Sequence, residues 1–174
     1  MVTTSTRPPV LPTRPNAPVR RGATAPLGLA VAVGGLVAVV AAYLLLPQGT
    51  HNLDELVYLN QAEAIRHGRL TYDADTYVPD FRPYLTGVAG DRVVFKYQPL
   101  WPAWLALSEA ATGDHRPGLV IAAMAAAAAF WLLGSELTGS AWLGTAVAAG
   151  VALSPVFVAH SATALAYLPT GALA

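Results

Sequence analysis

The sequence predicts an all-α membrane protein with about three transmembrane helices and an extracytoplasmic loop domain that carries juxtamembrane, interfacial helices. The chain of 174 residues is 55% hydrophobic and only 11% charged, which is too apolar for a soluble domain of this length. Its charges are also segregated: residues 48 to 98 hold seven of the ten acids and five of the ten bases. We therefore expect apolar spans that flank one polar segment.

Composition also limits the partners and cofactors. The net charge is zero, so nothing favours a nucleic-acid partner. The chain has no cysteine, which excludes disulfides and thiolate sites. The four histidines lack the spacing of metal ligands, and we predict no metal site; they are His51, His67, His115 and His160.

The first transmembrane helix is predicted over residues 26–47. Leu27 to Leu46 are twenty residues without a charge, enough to cross a hydrocarbon core of ~30 Å. Residues 1–25 are rich in proline and have four arginines as their only charges, which predicts a disordered basic tail in the cytoplasm. A cleaved signal peptide is the alternative, but the run exceeds the usual ~7–15 apolar residues and ends without a small-x-small site.

Residues 48–115 are predicted to form the extracytoplasmic loop. A helix over 53–67 is indicated by Asn52 as the N-cap, by Glu55 in a capping-box position and by Gly68 as the stop. Proline and glycine between residues 72 and 90 indicate ordered loop or short strands, and residues 92 to 95 a brief strand.

A second helix, over 99–113, decides the topology. Only thirteen residues separate Pro99 from Gly113, whereas a span needs ~20. We expect this helix to lie in the outer interface, with Trp101 and Trp104 at headgroup depth. If it crossed the membrane instead, residues 160 to 174 would lie on the cytoplasmic side.

Residues 116–174 are predicted to hold two further transmembrane helices, at about 119–137 and 141–159, and the start of the next outside segment. We expect a multi-pass protein with a cytoplasmic N-terminus, located in the plasma (inner) membrane. Residues 165 to 174 are an apolar stretch without a polar terminator. We therefore expect the chain to be the N-terminal part of a longer protein and to be inactive alone.

Two adjacent acids, Asp54 and Glu55, follow the first span and are the first candidates for chemistry. Tyr58 lies on the same helical face as Asp54. A structural explanation exists for both acids, because carboxylates in a first helical turn are stabilised by ~0.3–1 kcal/mol, and for Glu55 the capping box is sufficient. Lys96 either binds a phosphate or extends to lipid headgroups.

The order of these motifs resembles that of a known family. Asp54-Glu55-x-x-Tyr58 is followed by Gly68-Arg69-Leu70, by Lys96-Tyr97-Gln98-Pro99-Leu100-Trp101-Pro102 and by Leu153-Ser154-Pro155. The pattern is similar to the N-terminal part of the GT-C membrane glycosyltransferases, in particular the protein O-mannosyltransferase and lipid A aminoarabinose transferase group (glycosyltransferase family 39-like). The likeness extends over residues 26 to 171.

The resemblance implies an inverting hexosyl or pentosyl transferase of the cell envelope. Its donor would be a polyprenyl-phosphate sugar from the lipid bilayer, its acceptor is not predicted, and it would need no metal or other cofactor. Asp54 would be the catalytic acid, Glu55 its neighbour, and Lys96 the cation near the donor phosphate, with Arg92 and Arg82 as further candidates for stabilising the leaving phosphate.

One departure concerns a second acid, which the family often has in an Asp-x-Pro context after a later span. The matching place here is Tyr167-Leu168-Pro169, which puts acceptor positioning or activity in question. The alternative class is a non-catalytic membrane scaffold or lipid-binding subunit whose acidic loop binds a partner.

Overall fold

The computed structural model describes residues 23–49, 52–77 and 85–173 and is mostly helical, with one small sheet. The predicted tail, 1–25, lies outside the described residues apart from its last three. The elements in chain order are α1 (Thr24–Val40, continued by a π-helical turn, Ala41–Leu45), α2 (Leu53–Arg66), β1 (Tyr72–Asp73), α3 (Ala74–Tyr77), β2 (Thr86–Ala89), β3 (Arg92–Phe95), α4 (Leu100–Thr112), α5 (Arg116–Thr138), α6 (Ala141–Ala152), α7 (Pro155–Ser161) and α8 (Tyr167–Leu173).

Two helices in the described part of the chain are long and apolar enough to cross a membrane. They are the 22 residues of Thr24–Leu45 and the 23 residues of α5. A third span exists if α6 and α7 count as one, although the two helices are bent by 71°. The prediction of a mostly helical chain with two or three helices long and apolar enough to span a membrane is therefore confirmed for the described residues.

The prediction of a single transmembrane helix over about 141–159 is wrong in its continuity, because the helix breaks at Ser154. Pro155 has no backbone N–H for the carbonyl of Val151, so the α-helical hydrogen bonds cannot continue through it. The Ser154 side chain instead accepts a hydrogen bond from the N–H of Phe157 at 3.3 Å and caps a new helix, α7. The chain thus turns sharply near the end that leads to α8.

Small residues allow α1, α5 and α6 to pack closely. A Cβ built on Gly34 of α1 would lie 2.5 Å from the Cβ of Ala127 in α5, and one built on Gly144 of α6 would lie 2.7 Å from the carbonyl oxygen of Trp131. Such close backbone approach is typical of helix packing in membranes. The buried cluster at this contact consists of Ala38, Ala123, Ala126 and Ala152 from these helices and Phe157 from α7.

Helices α2 and α4 pack on each other outside this helical group. The Asn52 side chain accepts from the N–H of Asp54 at 2.9 Å and so caps α2, as the sequence predicts. Gly68 (φ 74°) follows the end of α2 and Gly113 (φ 78°) follows the end of α4, where the left-handed conformation favours glycine. The buried residues that join α2 and α4 to α5 and to the segment before α8 are Ala62, Leu105, Ala106, Leu119 and Ala164.

A three-stranded antiparallel sheet, in the order β1-β3-β2, lies between α2 and α4 in sequence. The central strand, β3, occupies the positions of the brief strand predicted at 92 to 95, and its Val93 is fully buried. Arg82 lies outside the described residues. The sheet brings the chain back to α2, because the hydroxyl of Tyr72 donates to the carbonyl of Asn60 at 3.0 Å.

Candidate functional site

The predicted site residues Asp54 and Tyr58 lie beside Tyr97, in the segment that leads from β3 into α4. Asp54 is half-buried in the first turn of α2, close enough to the Tyr97 phenol to raise its pKa. The ring of Tyr97 stacks on that of Tyr58, with centroids 4.6 Å apart and planes at 16°. Gln61, one turn further along α2, donates to the Tyr97 carbonyl at 3.2 Å. The fold therefore joins the Asp-Glu-x-x-Tyr segment to the segment that begins at Lys96.

The two stacked tyrosines stay protonated at neutral pH. Burial, followed by the hydrogen bond to Asp54 and the negative charge of that residue, raises the pKa of Tyr97 to about 12. Burial and the charge of Asp54 also raise the pKa of Tyr58. The Tyr97 hydroxyl thus keeps its proton throughout the physiological range and can donate a hydrogen bond.

Tyr167 stands at the place where the resemblance predicts a second acid. The ring of His160 lies 4.7 Å from that of Tyr167, centroid to centroid, and Tyr167 is 60% exposed. Its charge when ionised contributes to the raised pKa of both Tyr58 and Tyr97, after the larger effects of burial and of Asp54. Tyr167 is thus a phenol beside His160, where the resemblance predicts a carboxylate.

Of the predicted cations, Lys96 is the one beside this group. It is exposed, and its Nζ lies 5.3 Å from the centroid of the Tyr97 ring. Arg92 instead pairs with Asp73 at 2.8 Å and lies 3.8 Å from Asp91, so its charge is neutralised within the sheet. The predicted role of Arg82 lies outside the described residues.

Glu55 faces a different part of the molecule from Asp54. It is 5% exposed, and its Oε1 accepts a hydrogen bond from the backbone N–H of Ala164 at 2.8 Å. The Ala164 carbonyl accepts from the indole Nε1 of Trp101, also at 2.8 Å. Sequence reasoning explained Glu55 as a capping residue and missed Ala164, because a backbone group leaves no signal in the sequence.

Two cavities flank the segment that joins α7 to α8. A cavity of about 150 Å³ has polar and apolar walls and is lined by Gln48, Asn52, Glu55, His115, Arg116 and Ala162, among others. A larger, mainly apolar cavity of about 280 Å³ is lined by residues that include Phe130, Val151, Phe157, His160, Tyr167 and Leu168. The Nδ1 atom of His160 is buried and has no hydrogen-bond partner among the described residues.

Within residues 23–49, 52–77 and 85–173, no three histidine, aspartate or glutamate side chains come together in a group that could hold a metal ion.

Comparisons of the chain with protein-family models, with curated protein sequences and with solved structures found no match. The likeness to the GT-C glycosyltransferases therefore stays a prediction from short motifs.

Proposed function

We propose that this chain is a GT-C-type glycosyltransferase module that transfers a sugar from a polyprenyl-phosphate donor to an acceptor outside the cytoplasm. The observation that supports this most is the meeting of two segments that are distant in sequence. Asp54, a candidate base, lies close enough to Tyr97 to raise the pKa of its phenol. The cation Lys96 precedes Tyr97 in the chain, and its Nζ lies 5.3 Å from the centroid of that ring. A base and a cation are the two groups that this transfer needs.

In the proposed reaction, Asp54 takes the proton from an acceptor hydroxyl. The acceptor oxygen then forms a bond to the anomeric carbon on the face opposite the phosphate, and the bond between that carbon and the phosphate oxygen breaks. Its electron pair leaves with the polyprenyl phosphate, so the configuration at the anomeric carbon inverts. Lys96 stabilises the negative charge on the departing phosphate, and Tyr97 holds the Asp54 carboxylate in place.

The position of the site suits a lipid-linked donor. Asp54 lies nine residues after Leu45, where the apolar helix Thr24–Leu45 ends, so a phosphate at the bilayer surface is within reach of the first turn of α2. The arginines before α1 place the N-terminus in the cytoplasm by the positive-inside rule. The site then faces outward from a multi-pass protein of the plasma membrane.

The first test is Asp54→Asn, which keeps the size of the side chain but removes the base. We expect transfer by the full-length protein to fall by about 10²–10⁴-fold, measured with labelled polyprenyl-phosphate hexose and pentose donors in proteoliposomes and a membrane extract as the source of acceptor. Asp75→Asn is the matched control, because Asp75 is an exposed carboxylate of the same polar segment. Full activity of Asp54→Asn would refute its assignment as the base.

The second test uses Lys96, the only lysine in the chain. An amine-reactive reagent can modify only Lys96 and the N-terminal amine, and we expect polyprenyl phosphate in the vesicle to protect Lys96. Lys96→Met should weaken donor binding by about 10–100-fold, the effect of losing a charged hydrogen bond, whereas the exposed Arg69→Met should not. Unchanged donor binding by Lys96→Met, with no transfer by the wild type, would favour the non-catalytic scaffold instead.

A further inference from the structure

The backbone of Ala164 is held from both sides by side chains of the outer helices. The Glu55 carboxylate of α2 accepts a hydrogen bond from the Ala164 N–H, and the Trp101 indole of α4 donates one to the Ala164 carbonyl, each at 2.8 Å. Ala164 is fully buried, and Glu55 nearly so. We call these three residues, Glu55, Trp101 and Ala164, the Ala164 clasp.

The clasp acts on a buried segment without regular structure. Residues 162 to 166 connect α7 to α8, and Ala162, Thr163, Ala164 and Leu165 are each less than 9% exposed. Buried backbone groups outside helices and strands need partners from side chains. The clasp supplies both partners for Ala164, three residues before Tyr167 begins α8.

A glycine at residue 49 leaves the room that the Glu55 carboxylate occupies. Gly49 has a φ of 73°, and a Cβ built on it would lie 2.8 Å from Oε1 and 2.9 Å from Oε2 of Glu55. Any larger residue would push the carboxylate away from Ala164. The end of α1, the start of α2 and the segment before α8 therefore all meet at Glu55.

We propose that Glu55 is a positioning residue, whose carboxylate fixes Ala164 together with Trp101 and thereby sets the position of Tyr167, three residues further on at the start of α8. The inference rests on the proposed function only in taking the segment that carries Tyr167 as part of a catalytic site. The adjacent acids then have different tasks: Asp54 contacts the substrate, and Glu55 assembles the side of the site that α8 contributes.

A positioning role needs an acceptor oxygen at Glu55 but no proton transfer. Glu55→Gln keeps an oxygen at the position of Oε1, whereas Glu55→Ala removes it. We therefore expect Gln to preserve the clasp and Ala to open it. A residue that exchanged protons with substrate would instead be inactivated by both substitutions.

The clasp itself is measured by cysteine labelling, because the natural chain has no cysteine. Thr163→Cys introduces one at a position that is 1% exposed, and a maleimide reports its accessibility in the full chain in lipid nanodiscs. Glu55→Ala should speed labelling by about tenfold or more, as expected for the loss of a charged hydrogen bond. Glu55→Gln should leave labelling slow.

Two further variants keep the test valid if Glu55→Ala does not fold. Trp101→Phe removes the indole donor but keeps an aromatic ring, and it should speed labelling. Gly49→Ala should do the same, whereas Gly68→Ala, with a φ of 74° and no described atom within 4 Å of the new Cβ, should not. Slow labelling in Glu55→Ala, Trp101→Phe and Gly49→Ala alike would overturn the clasp.

Sugar transfer then tests the positioning role separately. We expect Glu55→Gln to retain transfer within about threefold of wild type and Glu55→Ala to lose it. A Glu55→Gln variant that labels slowly but transfers no sugar would overturn positioning in favour of direct chemistry by Glu55. If the full-length wild type transfers no sugar, the proposed function fails, while the labelling result still decides whether Glu55 and Trp101 fix Ala164.

Discussion

Gly144→Ala tests the packing on which the membrane part of the fold depends. The new Cβ would lie 2.7 Å from the carbonyl oxygen of Trp131 and 2.9 Å from the backbone nitrogen of Ser135, and it would also meet the Ser135 hydroxyl. Backbone atoms of α5 cannot rotate away as a side chain can, so α6 must move. Overpacking of this kind costs about 1–3 kcal/mol.

Gly150→Ala is the matched control on the same helix. No described atom elsewhere in the chain lies within 4 Å of a Cβ built on Gly150, so this substitution only replaces glycine by a better helix former, a gain of about 0.5–1 kcal/mol. Both variants receive that gain. The difference between them is therefore the packing cost alone, about 1–3 kcal/mol in the free energy of unfolding.

Thermal unfolding in detergent micelles, followed by far-ultraviolet circular dichroism, measures the difference. For a chain of this length 1 kcal/mol corresponds to about 2–4 °C, so Gly144→Ala should melt about 2–12 °C below Gly150→Ala. Equal melting temperatures would refute the close approach of α5 and α6 at Gly144.

The pKa shifts of Tyr97 and Glu63 predict how the stability of the fold depends on pH. Tyr97 should titrate with a pKa of about 12 in a spectrophotometric titration, and Asp54→Asn should lower that pKa towards 10.0 without reaching it, because burial remains. The raised pKa stabilises the fold fully below pH 10.0, and this contribution is lost as the pH rises through about 12. An unchanged titration in Asp54→Asn would contradict the effect of Asp54 on Tyr97. Hydrogen bonds from the side chains of Arg66 and His67 lower the pKa of Glu63 below 4.5. The contribution of Glu63 to the stability of the fold is therefore complete above pH 4.5 and is lost as the pH falls through the lowered pKa. Glu63→Gln should flatten the acid side of a plot of melting temperature against pH, and an equally steep fall in that variant would contradict the ion pairs.

The parts of the fold that sequence predicts well depend on local patterns. An uncharged run of twenty residues indicates the first apolar helix, because the bilayer sets its length. Asn52, Gly68 and Gly113 mark helix ends, because capping and left-handed conformations depend on the residue itself. The break at Ser154 had the same kind of signal, since a serine before a proline is typical of a helix start.

The candidate site could be predicted only in part, because its contacts join distant segments. The sequence indicates Asp54 and Lys96 as an acid and a cation, but nothing local predicts that Tyr97 lies close to Asp54 or that Tyr58 stacks on Tyr97. Those contacts depend on how α2 and α4 pack. Arg92 was a reasonable candidate until the sheet register placed it opposite Asp73.

Helix geometry explains why two adjacent acids serve two surfaces. Successive residues of an α-helix point about 100° apart, so Asp54 and Glu55 cannot face the same group. Asp54 turns to Tyr97, and Glu55 turns to Gly49 and Ala164. One helical turn thus connects the proposed chemistry to the segment that carries Tyr167, and a change at either acid should disturb a different part of the site.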